Sequence, residues 1–224
     1  MVLEDKVIIV TGSNGRIGNQ VVNDLIKQKA IVISCDLKNS KKINNFFKID
    51  ISNEKKTKKF LANIKHKYKK IDCLIHCAYP KTKDWGKTFE NLNYKSLSKN
   101  LSLQLGGSIL LSKQIIKIFR KQSYGNLILL SSIQGVSAPK FEHYKGTKMS
   151  SPIEYGAIKS GIISITKYLA KLVRNTEIRV NCVSPGGIKN NQPNKFIQRY
   201  KESCGSKGLL DNEDVIGSII FLLS

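Results

Sequence analysis

The stretch 7–22, VIIVTGSNGRIGNQVV, decides how the rest of the chain is read. Its first four residues are β-branched and apolar, the composition of a buried strand. Three glycines follow, Gly12, Gly15 and Gly18, and Ile17, Val21 and Val22 then recur at helical spacing. A strand, a glycine turn and a helix start, in that order, bring free N–H groups and the positive end of a helix dipole to where a diphosphate can approach. Asp36 ends the next apolar run, IVISCD, 24 residues beyond Gly12. A carboxylate there can hold both adenosine ribose hydroxyls and repels a 2′-phosphate, which favours NAD; Arg16 and Lys38 leave NADP open.

Working outward, short apolar runs alternate with longer helical patterns to the end of the chain. FFKIDIS, IDCLIHCAY, GNLILLSS and IRVNCVSPGG read as strands or strands with their exits. EKKTKKFLANIKHKYK, YKSLSKNLSLQLGGSILLSKQIIKIFRKQ, SPIEYGAIKSGIISITKYLAKLVR, NKFIQRYKESC and DNEDVIGSIIFLLS read as helices, the second as one long helix or a short one followed by a longer. NSKKINNF reads as a short helix or loop. Near-continuously apolar strands are those covered by helices on both faces. The expectation is an α/β fold, a Rossmann-like doubly wound parallel sheet with right-handed crossovers, in a single domain over residues 1–224.

The totals narrow the class. Residues 1–15, MVLEDKVIIVTGSNG, carry acids early and run straight into a glycine turn, so they do not read as a signal peptide. No apolar run reaches the roughly 18 residues that span a membrane, and a cytoplasmic protein with no membrane partner is expected. The five cysteines are odd in number and irregularly spaced, which argues against a disulfide framework. Cys73, His76 and Cys77 lie in a strand without a second ligand pair, so packing is preferred over metal and no metal site is expected. The formal charge is +22, from 38 basic and 16 acidic residues. The lysines are spread over helices such as 55–70, where Phe60, Leu61 and Ile64 form the inner face, so solvated surfaces are preferred over a nucleic-acid partner.

Two Tyr–Lys pairs at helical spacing, Tyr144 with Lys148 and Tyr155 with Lys159, lie within HYKGTKMSSPIEYGAIKS. On one helix face an ammonium favours the phenolate, which would let a phenol exchange a proton near neutral pH.

With these features the chain resembles the short-chain dehydrogenase/reductase family along essentially its whole length. The family's glycine motif is T-G-x-x-x-G-x-G; here Thr11-Gly12-Ser13-Asn14-Gly15-Arg16-Ile17-Gly18 places the middle glycine one position early. Asp50-Ile51 resembles the family's adenine-contacting position. The family's N-N-A-G corresponds to His76-Cys77-Ala78-Tyr79, which keeps Ala78 near the cofactor and lacks the two asparagines that brace the neighbouring backbone. Ser132 matches the catalytic serine, with Ser131 as the alternative, and the segment around Pro185 and Gly186 matches the one that closes over the nicotinamide. Counting back from Ser132 puts Gln104 at the family's water-holding asparagine, with Asn100 second.

Those landmarks judge the tyrosines. Tyr144 lies 12 residues after Ser132, close to the family's usual gap, and Tyr155 lies 23 after it. From Tyr155 to Arg179 is 24 residues, which matches the family's helix plus strand, whereas from Tyr144 it is 35. A packed helix has a rigid length, and a loop absorbs an insertion cheaply. Gly146, Thr147 and Pro152 also stop a helix from running onward from Tyr144, and Pro152 suits the first turn of a helix carrying Tyr155. Tyr155 and Lys159 are therefore expected to be catalytic. Residues 137–151 become an inserted loop, either plain surface or a lid carrying Lys140, Glu142, His143, Tyr144 and Lys145.

The resemblance implies hydride transfer. Tyr155 would exchange the alcohol proton, Ser132 would orient the oxygen, and Lys159 would lower the tyrosine pKa and hold the nicotinamide ribose. The runs SSIQG, YGAIKSGI and SPGGIKNNQP most resemble bacterial members linked to flagellin glycosylation and nonulosonic-acid sugars. A phosphorylated or nucleotide-linked sugar is the expected substrate, with Lys140, Lys145, Lys148 and Lys189 suiting an anion. A homodimer or homotetramer is expected. The chain stops at VIGSIIFLLS, where family members usually add a last strand, so that strand is expected to be absent. An NAD-binding sensor or inactive relative is the competing reading.

Overall fold

The computed structural model describes residues 3–39 and 45–224, so most of NSKKINNF lies outside the described residues. Six parallel strands form one sheet in the order β3-β2-β1-β4-β5-β6. They are β1 (Val7–Thr11), β2 (Ile31–Asp36), β3 (Phe46–Lys48), β4 (Cys73–His76), β5 (Tyr124–Leu130) and β6 (Glu177–Val183). The helices are α1 (Arg16–Lys27), α2 (Glu54–Tyr68), α3 (Tyr94–Leu101), α4 (Gly107–Gln122), α5 (Ile153–Leu172), α6 (Asn194–Glu202) and α7 (Glu213–Leu223).

Alternation along each strand sends successive side chains to opposite faces. Val7 and Ile9 join Ile33, Leu74, Leu127 and Leu129 under α2, α4 and α5. Ile8 and Val10 join Val32, Ile75 and Ile128 under α1 and α7, against Val21, Val22 and Ile219. The two cores explain why these strands are apolar throughout. Phe119 of α4 is fully buried in the first core, where truncation to alanine costs ~3–5 kcal/mol.

Local chemistry sets the helix ends that flank the site. The Asn53 side chain caps α2 by accepting from the Lys56 N–H at 3.0 Å, and Asn93 caps α3 by accepting from Lys95 and Ser96. The expected long helix is interrupted. Between α3 and α4 the backbone takes a π-helical turn, Ser102–Gly106. Such turns widen a helix and re-aim its side chains.

The strand order reverses between β1 and β4, whose last residues, Thr11 and His76, are in register. In open α/β sheets that point leaves a crevice beyond the strand ends, where ligands bind.

Candidate active site

The crevice is floored by the glycine turn. Gly12 has φ +68°, and a Cβ there would lie 2.6 Å from the Ala78 backbone, so β1 and the exit of β4 meet only because the side chain is absent. A Cβ on Gly18 would stand 2.2 Å from the Gly12 carbonyl oxygen. α1 therefore sits directly on the turn, with Gly15 at its N-cap and no acid in its first turn to oppose an anion. Arg16 opens the helix and donates to the Lys189 carbonyl at 3.1 Å, bridging the crevice to the segment after β6. Ile17 packs on the second core, and Ser13 is buried with its N–H and hydroxyl both directed at the Cys35 carbonyl.

Asp36 ends β2 beside this turn. Its Oδ2 accepts from the Asn14 N–H at 3.0 Å and its Oδ1 from the Leu37 N–H at 2.7 Å, which fixes the carboxylate at the crevice edge. The Asn14 amide reaches the Lys38 carbonyl at 2.7 Å. Asp50 closes its own turn, accepting from the Ser52 N–H at 2.9 Å and hydroxyl at 2.7 Å, while Ile51 is buried in the core. Across the crevice, the Pro185 carbonyl accepts from the Ile133 N–H at 2.9 Å. The Tyr200 hydroxyl accepts from the Gly187 N–H at 2.7 Å and lies 3.2 Å from where a Gly186 Cβ would be.

Ser132, Tyr155 and Lys159 converge beside this crevice. Ser132 follows β5, is 6 % exposed, and accepts from the Gln134 N–H at 3.2 Å, with its hydroxyl close enough to the Tyr155 phenol to favour the phenolate. Ser131, the alternative, spends its hydroxyl on the Lys159 carbonyl at 2.8 Å. Tyr155 and Lys159 lie one turn apart on α5. The Lys159 Nζ donates to the Leu130 carbonyl at 2.8 Å and stands 5.6 Å from the Tyr155 ring centre. Burial lowers the lysine to a pKa of about 8. Burial also raises the Tyr155 phenol above its ordinary value, against the lowering effect of the Ser132 hydrogen bond. Burial is the larger of these effects, so the phenol stays above its ordinary value.

Gln104 sits in the π-helical turn, 3 % exposed, with neither side-chain amide atom hydrogen-bonded. Asn100 is committed elsewhere, accepting from the Thr82 N–H and donating to the Thr82 hydroxyl. His76, which replaces a bracing asparagine, is hydrogen-bonded through both ring nitrogens to Thr11 and Ser108, and burial lowers it to a pKa of about 3. The neighbouring thiols of Cys73 and Cys77 are pushed up to about 12 by burial.

Tyr144 does not extend a helix. It ends a short 3-10 turn, Phe141–Tyr144, held to α6 by its ring against Phe196 at 5.1 Å and by His143 against Tyr200 at 5.2 Å. Its hydroxyl accepts from the Gln134 amide at 3.2 Å. Beside it lies a cleft of about 800 Å³ walled by Phe89, Gln134, Val136, Phe141, Tyr144 and Ile153, with Glu90 as its charged member among the described residues. Lys140 and Lys145 line a different depression with Glu142, Arg199 and Glu202, and Lys189 is paired with Asp211 at 3.0 Å. None of these three lysines lines the cleft beside Tyr144.

Sequence reasoning missed the aromatic group over Tyr155 and Lys159. Tyr79 and Trp85 stand edge-on to Tyr155 at 5.8 and 6.3 Å, and to each other at 5.5 Å. The Lys159 Nζ lies 5.5 Å from the Tyr79 ring centre. The available signal was an aromatic residue directly after Ala78, where the resembled family has glycine.

Fold and site together define a dinucleotide-dependent oxidoreductase. Residues 6–200 match the short chain dehydrogenase family, and the chain belongs to it. A post-translational flagellin modification protein A from Campylobacter coli is 42% identical over 236 residues, which span 99% of this chain and 92% of the relative. A 7alpha-hydroxysteroid dehydrogenase from Bacteroides fragilis is 27% identical over 240 residues, 99% and 88% of the two chains. The crystal structure of a short chain dehydrogenase from Leptospira borgpetersenii serovar Hardjo-bovis with bound NAD+ has a TM-score of 0.90 to this fold at 32% identity, over 99% of this chain and 87% of that one. Among the described residues no helix is long and apolar enough to cross a membrane.

Proposed function

We propose that this chain is a cytoplasmic NAD-dependent oxidoreductase that interconverts a hydroxyl and a carbonyl on a sugar derivative used in flagellin or surface-glycan modification. The observation that carries the chemistry is the convergence of Ser132, Tyr155 and Lys159 beside a glycine cradle that an added Cβ would fill. The full-length likeness to the Campylobacter coli flagellin modification protein supports the biological setting.

The cradle fits a dinucleotide. Gly12, Asn14, Gly15, Arg16 and Gly18 would face its diphosphate, with Ser13 bracing the turn from beneath through the Cys35 carbonyl; Asp36 would hold its adenosine ribose, Asp50 its adenine with Ile51 anchoring that turn in the core, and Ala78, Lys159, Pro185 and Gly186 its nicotinamide half. When bound, the nicotinamide supplies or accepts the hydride. Tyr155 carries the proton. Its raised pKa keeps it protonated at neutral pH, the form that donates to a carbonyl oxygen. Ser132 orients that oxygen and steadies its developing charge. Lys159 holds the ribose and lends positive charge to the phenol. Gln104 offers an amide with both atoms free to hold a water that resupplies the proton.

The apolar and aromatic cleft wall suits a sugar ring or its acyl substituents more than a phosphate, so an anionic group on the substrate would lie outside it. The outer groove between α4 and α5 exposes Ile109, Tyr168 and Leu172, and self-association there is the reading for a homodimer or homotetramer.

The test is calorimetric titration of the purified chain with NAD and NADP, followed by NADH oxidation with keto-sugar nucleotides and sugar phosphates. NAD bound tighter than NADP, with turnover of one sugar class, is expected. Binding without turnover on any alcohol or ketone would replace the enzyme with a nucleotide sensor, and no binding would remove both readings.

A further inference from the structure

We propose that His76 is a positioning residue that ties the end of β1, at the glycine turn, to the π-helical turn bearing Gln104 through a one-way chain of hydrogen bonds. The proposal rests on the reading of those two turns as the cofactor and proton-handling sides of the site.

The chain has three links. The Thr11 hydroxyl meets His76 Nδ1 at 2.7 Å, His76 Nε2 meets the Ser108 hydroxyl at 3.0 Å, and the Ser108 hydroxyl donates to the Gln104 carbonyl at 2.6 Å. Thr11, His76, Ser108 and Gln104 are each at most 4 % exposed. Their protons can be ordered in one way. Ser108 has a single hydrogen, and it goes to Gln104, so its oxygen accepts from His76. Nε2 therefore carries the imidazole proton, Nδ1 is the acceptor, and the Thr11 hydroxyl donates. A neutral ring is required, which agrees with a burial that disfavours the charged form.

The anchoring solves a problem at Gln104. A buried amide with neither atom paired is costly, and a free turn would relax to satisfy it. Pinning the Gln104 backbone carbonyl from Ser108 holds the residue in the π-helical turn while its side chain stays available. The other end of the chain grips Thr11, the residue before Gly12. A shift in the glycine turn is thereby felt at Gln104, 93 positions away in sequence. An asparagine at position 76 would offer the same acceptor and donor on a shorter arm.

Two measurements on the full chain test this. Ring ¹⁵N NMR of the protein without cofactor should show His76 neutral and protonated on Nε2 from pH 5 to 8, with the Nε2 signal displaced in Ser108→Ala. A proton on Nδ1, or titration within that range, overturns the proposal whether or not the protein binds NAD. NAD titration should show affinity weakened about tenfold in Ser108→Ala and in His76→Leu, and recovered to within about threefold of wild type in His76→Asn. The Ser108→Ala/His76→Leu double variant should bind no more weakly than His76→Leu alone, because the links are in series. Additive losses, or no recovery in His76→Asn, would refute the coupling. Should His76→Leu fail to fold, Ser108→Ala against His76→Asn carries the comparison.

Discussion

Lys159 should be held in place at a cost to stability, and that cost can be measured. The residue is 7 % exposed and its pKa falls from 10.5 to about 8 on burial. A drop of about 2.5 units corresponds to about 3 kcal/mol against the charged form in the folded state. The folded pKa lies below the unfolded one, so between pH 8 and 10.5 the unfolded chain binds more protons and stability rises with pH. At pH 7 the full penalty is present. Lys159→Met removes the charge and keeps most of the stem, but leaves the Leu130 carbonyl without its 2.8 Å donor, which costs ~1–3 kcal/mol. The expected outcome in urea denaturation is a variant about 1 kcal/mol more stable than wild type at pH 7. The difference should shrink through pH 9 and reverse by pH 10.5, where wild type keeps a neutral amine on Leu130. Turnover should vanish. A variant less stable at pH 7, or a gap that does not change with pH, would refute the claim that burial opposes the ammonium.

Tyr155→Phe should abolish turnover with NAD affinity nearly intact, while Tyr144→Phe, which loses a 3.2 Å hydrogen bond to Gln134, should remain active; the reverse pattern in steady-state assays would reassign the base. Asp36→Ala should weaken NAD more than NADP by calorimetry, and an unchanged ratio would reject the ribose role. Gly18→Ala drives a Cβ to 2.2 Å from the Gly12 carbonyl, so a loss of ~1–3 kcal/mol in urea denaturation is expected together with loss of NAD binding. His76, neutral when folded with a pKa near 3 against an ordinary 6.5, contributes stability that is complete above pH 6.5 and lost as pH falls toward 3. The loss should reach at most ~1.4 kcal/mol per pH unit. Wild type and His76→Asn compared at pH 7, 5.5 and 4 should diverge, and parallel curves would count against a buried neutral ring.

The choice between the two Tyr–Lys pairs shows what one-dimensional reasoning can carry. The distance from Tyr155 to Arg179 is a packed helix and a strand, whose lengths are physical constants, and α5 does begin at Ile153. Tyr144 was equally legible as not helical, because Gly146 and Pro152 stand in the way. Its packing against Phe196 was not legible, since nothing in the local sequence of either residue names the other. The lysines of the 137–151 loop show the limit of such reasoning. Their charge was visible, but which depression each side chain lines depends on turns that set Lys140 and Lys145 beside Arg199 and Glu202.

By itself the sequence determined the strand and helix alternation and the glycine turn, and it singled out Ser132, Tyr155 and Lys159 as the candidate site residues. Those rest on periodicity, on backbone freedom at Gly12 and Gly18, and on fixed rises per residue, all of which are local. Only the tertiary structure decided that Tyr79 and Trp85 stand against the Tyr155 ring, that Gln104 hangs unpaired in a π-helical turn, and that His76 joins Thr11 to Ser108. Each of these needs residues from separate elements to be brought within about 6 Å by the packing of the sheet and its helices, and burial then sets the protonation that no linear spacing encodes.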